Sequence, residues 1–577
     1  CRDNPIKTLM SSNHRGRTRI RGAAMWLLLL ELRTPLITLI ITYSISVLGL
    51  VLIPGMTSEG TAYHLSFLDA FYVVSYTATT IGFGETPHPF TSEQKLWMLV
   101  VMYSTVISWL YAIGSVLSVI SDPAFRRLRA HQRAVNRIAS QKLPFWIVCG
   151  FGGAGSQLIR FLDQSNIRCV MIDSNQARAD VAKLSDLTYE LDILVGDVAE
   201  PQTLGDAGVQ NALCRGVLAL TDQDQVNLTV ATNTRILAPR VPVYARSGTD
   251  ANTRNLRSFD TEVVIDPFRV AARSVTQLIR KPCAFALYHE LVDPDLNHID
   301  VVEMPAEGHW VICAEGRLAD TVVEAFQRDE IPFCLVSNQA PKDKRSVTWI
   351  QGLGTEARTL RAADIAHAAG ILAGTNDDGD NLSILLTAQA ENTQLITIAR
   401  RNKPTSEPVF GHGHFTYVLR EGRMIAQEMY ARITTPVLHQ FLGQLELMPE
   451  ALVQGIIQKL HARLGDQRPE LSHFDLVLDS HNAPGVLPFF HTARTPKLGD
   501  LLIDPGFGYP TMPLICLLLV RLNGDLVPFP GDGLLLAEGD RLLFWGTMGS
   551  HHRLQFLAQR EDLFEAVLAD RHRVHSR

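Results

Sequence analysis

Much of what usually betrays a chain's business is missing here. There is no surplus of either charge: 53 Lys and Arg against 59 Asp and Glu leave −6 over 577 residues, and that balance gives no hint of nucleic acid as a partner. Eight cysteines are scattered, with no Cys-x-x-Cys pair among them, and Cys149, Cys169, Cys313, Cys334 and Cys516 lie inside apolar, strand-like runs. Such usage argues against a zinc site or a disulfide framework and predicts buried, reduced thiols. No signal segment is in view. The chain starts at Cys1 rather than Met, which fits a native N-terminus further upstream and gives no support to a lipid anchor at Cys1. What the length does suggest is several domains, and a slightly positive mean hydropathy suggests a soluble protein with a small membrane part.

Charge is also missing from two long stretches, residues 35–53 and 96–121. Each is apolar and long enough as a helix to cross the roughly 30 Å core of a bilayer. Residues 65–79 between them (LSFLDAFYVVSYTAT) are apolar and aromatic but too short to span. They predict a short helix that dips in and returns through Thr79-Thr80-Ile81-Gly82-Phe83-Gly84-Glu85. T-x-G-x-G also occurs in ordinary turns. In this setting, though, irregular backbone at membrane depth is tolerated where it lines a watery path, and alternate glycines relax the limits on φ and ψ so that successive carbonyls can face one axis. Arg15, Arg17, Arg19 and Arg21 precede the first span, Arg126, Arg127, Arg129, Arg133 and Arg137 follow the second, and only Lys95 lies between. Both ends of this segment are therefore expected on the cytoplasmic side. Gly114 is a candidate bend point in the second span, and Pro123 is expected to end or turn it.

Helix, re-entrant helix, T-x-G-F-G, helix resembles the pore module of two-transmembrane prokaryotic K⁺ channels. The family usually shows T-V-G-Y-G-D; here Ile81, Phe83 and Glu85 stand for Val, Tyr and Asp. The resemblance implies an ion filter at Thr79 to Glu85, with K⁺ held at Thr80, Ile81, Gly82 and Phe83 by oxygens that replace its hydration shell. Carbonyl chemistry survives the three replacements, whereas the packing behind the filter and the K⁺/Na⁺ selectivity depend on them.

The remaining three quarters of the chain open with a buried-strand pattern at 145–149, then Gly150-Phe-Gly152-Gly-Ala-Gly155, a helix expected over 156–163, and a second strand ending in Asp173. This is G-x-G-x-x-G in its strand–turn–helix setting. The glycines admit a phosphate to the helix N-terminus, and an acid about 20 residues on awaits the ribose hydroxyls. An acid there favours a free ribose diol over a 2′-phosphate. Further strands are expected at 193–197, 216–220, 241–246 and 262–266, and Gly196 and Asp197 in the first of them are also candidate cofactor contacts.

The chain then repeats itself. Trp310-Val-Ile-Cys-Ala-Glu-Gly316 echoes Trp146-Ile-Val-Cys-Gly-Phe-Gly152, and Thr375 to Leu382 echoes Thr221 to Leu228. The displacement of roughly 155–165 residues marks a duplicated domain. In the second copy the first and third glycines are Ala314 and Ala319, the acid is Ser337, and Arg317 replaces Gly153, so a different ligand or none is expected there.

Tandem Rossmann units behind a pore resemble RCK (regulator of K⁺ conductance) domains, relatives of the nucleotide-binding subunits of Trk/Ktr uptake systems. A C-terminal piece built around 497–503, 514–520 and 531–546 looks like the small RCK lobe. The expected architecture is a membrane α-helical pore module (two transmembrane helices plus a re-entrant pore helix), two α/β Rossmann-like domains and a small α+β C-terminal lobe. Its expected divisions are 1–25 basic tail, 26–121 pore, 122–143 linker, 144–290 first RCK, 291–465 second RCK and 466–577 lobe. Residues 390–490 are the least readable. The resemblance implies a homotetramer in the inner (plasma) membrane, in contact with lipid, whose eight cytoplasmic RCK units form a gating ring, with NAD(H) or an adenine nucleotide as regulatory ligand and no nucleic acid. Ca²⁺ gates some relatives, and Asp197, Asp222, Asp224, Asp377, Asp378 and Asp380 are available, although such acids usually cap turns. His412 and His414 make a poor metal site on their own.

The leading function is a ligand-gated K⁺ channel and not an enzyme. The alternatives are a K⁺ uptake transporter-like or weakly selective cation pathway, and a membrane-attached NAD-dependent oxidoreductase. The first would be supported by four pore repeats, and only one is present. The second lacks a substrate domain and a proton-transfer constellation.

Overall fold

Apolar runs without charge become helices longer than the runs themselves. In the computed structural model of the chain, residues 32–57, 60–85, 87–259, 261–293, 301–305, 307–341, 347–434, 436–464, 471–492, 494–504 and 511–574 are described. Cys1 and the arginines expected to flank the first span at 15–21 lie outside them. The chain divides into two units, Cys1–Asn136 and Arg137–Arg577.

In the first unit, α1 is Leu32–Leu52, with Pro35 in its first turn, where a missing N–H breaks no helical bond. A two-residue hairpin, β1 Gly55–Met56 with β2 Ala62–Tyr63, leads to α2, Phe67–Ala78, whose N-cap Ser66 accepts from the Asp69 N–H. Helix α3, Ser92–Ser121, starts earlier than the apolar run by taking in Glu93 and Lys95. At 21 and 30 residues, α1 and α3 are long enough to cross a bilayer, whereas the 12 residues of α2 are not. Val47 and Leu50 of α1, Ala70, Val73 and Val74 of α2, and Val101 of α3 form one apolar cluster. Gly49 lets α3 approach α1, since a Cβ there would stand 2.1 Å from the Trp97 ring, whose indole N–H donates to the Ser46 carbonyl at 3.2 Å. The outward faces, including Leu36, Ile40, Leu48, Leu99, Ile107 and Leu110, are exposed and apolar, as a lipid-facing surface must be.

The segment expected as a linker is a helix. After Asp122 breaks α3, α4 runs Pro123–Ala139, because Pro is tolerated at a first helical position and arginine and alanine are good helix formers.

The second unit opens with β3 Phe145–Cys149, β4 Arg168–Asp173, β5 Asp192–Val195, β6 Cys214–Ala219, β7 Val243–Arg246 and β8 Val263–Ile265, all parallel in the order β5-β4-β3-β6-β7-β8. Then β9 Trp310–Ala314, β10 Phe333–Ser337, β11 Trp349–Gln351, β12 Gly370–Gly374, β13 Ile396–Arg401 and β14 Tyr417–Arg420 repeat that order, again all parallel. The duplication extends to hydrogen bonds. Asn227 accepts from the N–H and hydroxyl of Thr221 and donates to the Arg246 carbonyl; Asn381 does the same with Thr375 and Arg400.

Packing does not follow the chain. The helices that matter are α5 Gly153–Gln164, α6 Pro267–Arg280, α7 Gly316–Arg328 and α8 Glu421–Thr434. Helix α6 follows the last strand of the first sheet, yet its Ala271, Ala272, Val275 and Leu278 are buried with Trp310, Leu318, Val322 and Phe326 of the second. Helix α8 follows the last strand of the second sheet, yet its Ile425, Ala426, Met429 and Tyr430 are buried with Val148, Leu158, Phe161 and Leu162 of the first. Each copy thus lends the other a helix, and at ~1.5–3 kcal/mol for each large apolar side chain buried the exchange ties the copies together.

The least readable stretch, 390–490, holds β13, β14, α8 and helices Pro436–Leu447 and Glu450–Leu464. Leu438, Phe441 and Leu445 join Leu287 and Leu291 to Leu518 and Trp545 of the C-terminal lobe. That lobe is an antiparallel sheet of β15 Leu471–Val477, β16 Leu514–Val520, β17 Leu526–Pro528 and β18 Arg541–Thr547, ordered β15-β18-β16-β17. Two C-terminal helices cover it, Met548–Gln559 and Glu561–Val574.

Candidate functional site

Two places carry chemistry, one in each unit. In the first unit, α2 ends at Ala78 and the chain turns back through the T-x-G-F-G motif. Positive φ occurs at Thr80 (58°), Gly82 (64°) and Gly84 (97°), and not at Ile81 or Phe83 between them. Alternating the hand of successive residues is how a chain turns successive carbonyls to one side, which neither helix nor strand does. A threonine in the left-handed region is strained by ~1–2 kcal/mol, and the turn is pinned from behind. The Tyr76 carbonyl accepts from the N–H groups of Ile81 (2.9 Å) and Gly82 (3.3 Å), and the Tyr76 hydroxyl donates to the Gly84 carbonyl. Phe83 stacks on Tyr72 with ring planes 11° apart and meets Tyr76 edge-on at 5.7 Å. Phenylalanine in the tyrosine position therefore has an aromatic cuff of its own. Glu85 accepts from the Phe90 N–H at 2.7 Å and faces Lys95 at 3.4 Å, so it anchors the return loop. Gly114 lies within an unbroken α3 with open space around it.

In the second unit, Gly150 has φ 102°. A Cβ on Gly155 would stand 1.9 Å from the Gly150 carbonyl oxygen, so strand and helix meet at a distance only glycine permits. Helix α5 begins at Gly153, three residues before the expected start, with Gly152 at its N-cap. Asp173 is 4% exposed; its carboxylate accepts from the N–H groups of Phe151 (2.7 Å) and Asn175 (2.8 Å) and thereby holds the glycine loop from beneath. The loop opens on a cleft of about 1080 Å³, at the switch point between β3 and β6 where ligands of such sheets bind. Gly152, Gly153 and Ser156 form one wall. The other belongs to the second copy, with Arg401, Glu407, Arg420, Glu421 and Arg423. Gly196 and Asp197 do not line it: Gly196 packs on Thr203, and Asp197 accepts from the Ala199 N–H.

The TrkA-N domain family matches twice, at residues 146–267 and 310–421. Potassium channel protein 1 of Methanocaldococcus jannaschii is 25% identical over 239 residues, 41% of this chain and 68% of that protein. The voltage-gated potassium channel Kch of Escherichia coli is 24% identical over 203 residues, 35% of this chain and 47% of that one. The chain thus carries two TrkA-N (RCK) domains and is similar to potassium channels. A solved structure described as the GsuK channel bound to NAD aligns with 95% of this chain and 100% of its own, at 18% identity and a TM-score of 0.46.

Within this RCK pair the copies differ where the motifs differ. Arg317, in the place of Gly153, donates to the Asp266 carboxylate and the Gly248 carbonyl, and to Asp250 at 2.9 Å. Its guanidinium lies over the Phe268 ring, 5.6 Å from the centroid. The second loop is thus filled by a cation from its own sequence. Several of the acids available for a divalent ion are engaged in backbone hydrogen bonds of the turns and loops around them. Asp224 accepts from the Gly248 N–H and the Thr249 hydroxyl, Asp377 caps its helix through the Gly379 and Asp380 N–H groups, and Asp378 accepts from Asn402 and Lys403. Among the described residues no group of three or more His, Cys, Asp or Glu is placed to hold a metal ion, and His412 is turned to the Pro408 carbonyl. The seven described cysteines are free, and burial pushes the Cys149, Cys169, Cys313 and Cys516 thiols well up. Sequence reasoning missed Arg401, Glu407 and Arg420. They carry no motif, and only the exchange of α6 and α8 brings their copy to the first copy's loop.

Proposed function

We propose that the chain forms a homotetrameric K⁺ channel of the inner membrane, with its RCK domains in the cytoplasm and its gate set by a nucleotide bound to the first RCK copy. The observation that carries the conducting part is the alternation of φ at Thr80, Gly82 and Gly84, in a turn set between a short helix and a membrane-length one. Carbonyls of Thr80, Ile81, Gly82 and Phe83 then replace the hydration shell of K⁺, which is the cargo. One chain supplies one pore segment and two RCK copies, so four chains supply a ring of eight.

The glycine cradle, which a Cβ at Gly155 would fill, and the cleft in front of it fit a nucleotide. Gly150, Gly152 and Gly155 would let the phosphates approach the α5 N-terminus, and Asp173 would receive the ribose hydroxyls by yielding one of its loop bonds. The ligand would be NAD(H) or an adenine nucleotide. Gating follows if the ligand binds one arrangement of the two copies better than another, since equal affinity shifts nothing.

The test is K⁺ against Na⁺ flux from liposomes holding the purified protein, with and without NAD⁺, NADH, ADP and ATP. K⁺-selective flux that responds to a nucleotide, and loses that response in Asp173→Ala, is the expected result. Absence of flux from folded, tetrameric protein under every ligand would overturn the reading.

A further inference from the structure

The two Rossmann copies face each other across a pseudo-twofold relation, and their facing sites have opposite solutions to the same electrostatic problem. In the second copy's site the loop carries Arg317 and the facing copy offers Asp266, so an internal ion pair completes it. In the first copy's site the loop residue is Gly153, without a side chain, and the position corresponding to Asp266 is Arg420. Resting on the nucleotide reading above, we propose that Arg401 and Arg420 of the second copy form the distal-phosphate half of the first copy's nucleotide site, and that Glu407 competes with the terminal phosphates of a nucleoside polyphosphate for them.

The placement is direct. Gly422, two residues beyond Arg420, lies against the loop itself, since a Cβ on it would stand 2.5 Å from the Gly153 carbonyl carbon. Other arginines on this wall are committed elsewhere. Arg423 holds the buried Asp293 through two bonds, and across the cleft Arg246 of the first copy pairs with Glu421 at 2.5 Å. Arg401 and Arg420 share a single carboxylate, Glu407, which Arg420 meets at 3.1 Å. Two guanidiniums paired to one carboxylate leave a surplus of positive charge in a recess open to the cleft, offset in part by Asp378, which acts on Arg401 without pairing with it. Burial, and then the neighbouring arginines, hold both guanidiniums below their ordinary pKa, so a further anion is welcome there. A phosphate offers more acceptor oxygens and more charge than the carboxylate, and arginine forks bind it bidentately. Glu407 starts a six-residue helix, Glu407–His412, and is about half exposed, so it can leave the pair at little cost in packing.

The experiment is calorimetric titration of the purified full chain with AMP, ADP, ATP and NAD⁺. In the parent, affinity is expected to rise from AMP to ADP and ATP. Arg420→Ala should lower ATP affinity about tenfold, the loss of a charge-assisted contact, and leave AMP unchanged. Glu407→Gln, nearly isosteric and safe for folding, should raise ADP and ATP affinity severalfold and leave AMP unchanged. Equal losses for AMP and ATP in Arg420→Ala, no gain in Glu407→Gln, or binding of NAD⁺ with ADP and ATP both silent would overturn the inference and leave the nucleotide reading standing. No binding of any of the four by the parent would overturn both.

Discussion

Gly422 of one Rossmann copy rests its Cα on the backbone of Gly153 in the other, at the first residue of the helix that opens the glycine loop. The contact is reached only because α8 is lent to the first copy's sheet. It places a helix start of the second copy within touch of the first copy's binding loop, so relative movement of the copies must alter that loop.

Gly422→Ala is therefore expected to do more than a helical alanine usually does. The new methyl has backbone in its way, and overpacking of this kind costs ~1–3 kcal/mol, against the gain in helix propensity. Thermal unfolding should register the loss, and nucleotide titration should show weaker binding. The same change at Gly443, where nothing lies within 4 Å of an added Cβ, should be neutral or mildly stabilising.

Arg317→Ala should leave Asp266 Oδ2, on a side chain 6% exposed, without its hydrogen-bond donor, while Oδ1 keeps the Phe268 and Arg269 N–H groups. Burial already pushes that carboxyl up, with Arg317 the leading opposing influence. Losing the guanidinium is expected to lower stability by ~1–3 kcal/mol, the penalty for an unmatched buried acceptor. In a double-mutant cycle with Asp266→Asn, the pair should lose less than the sum of the two singles; additivity would mean that the pair does not couple.

Tyr76→Phe keeps the ring that meets Phe83 and removes the hydroxyl that donates to the Gly84 carbonyl. One hydrogen bond of ~1 kcal/mol corresponds to roughly a fivefold change in a filter equilibrium. The expected result in the liposome assay is a K⁺/Na⁺ flux ratio lowered by about that factor, with the tetramer unchanged on size-exclusion chromatography.

His289 is buried, and its pKa is lowered to about 3, first by burial and then by Arg423. The unfolded chain takes up this proton near pH 6.5 and the folded one does not, so stability falls as pH drops from about 6.5 toward 3. Between pH 7 and pH 5 this one group should remove roughly 2 kcal/mol. Urea titrations of the parent and of His289→Phe at both pH values would show it as a shallower pH dependence in the variant.

What the sequence determined by itself was whatever local chemistry decides. Uncharged runs of membrane length gave α1 and α3, and their shared outcome needs no partner, because a bilayer selects on length and polarity alone. The glycines at 82, 84, 150 and 155 marked backbone conformations and close approaches closed to other residues, and the echo of Trp146 in Trp310 announced the second sheet. Asp122-Pro123 marked a helix break, though the run of arginines behind it hid a second helix where a plain linker was expected. The rest depended on which surfaces meet. An apolar face at helical spacing says that α6 and α8 must be covered; it does not say by which sheet, and each covers the other copy's. From that exchange follow the shared cleft, the second-copy wall of Arg401, Glu407 and Arg420, and the partner that Arg317 finds in Asp266. Gly196 and Asp197, plausible by position alone, were drawn into turn packing and capping instead. Short-range steric and solvation rules act along the chain and can be read there, while the pairing of Arg317 with Asp266 and the wall that faces the first copy's loop are set by neighbours distant in sequence.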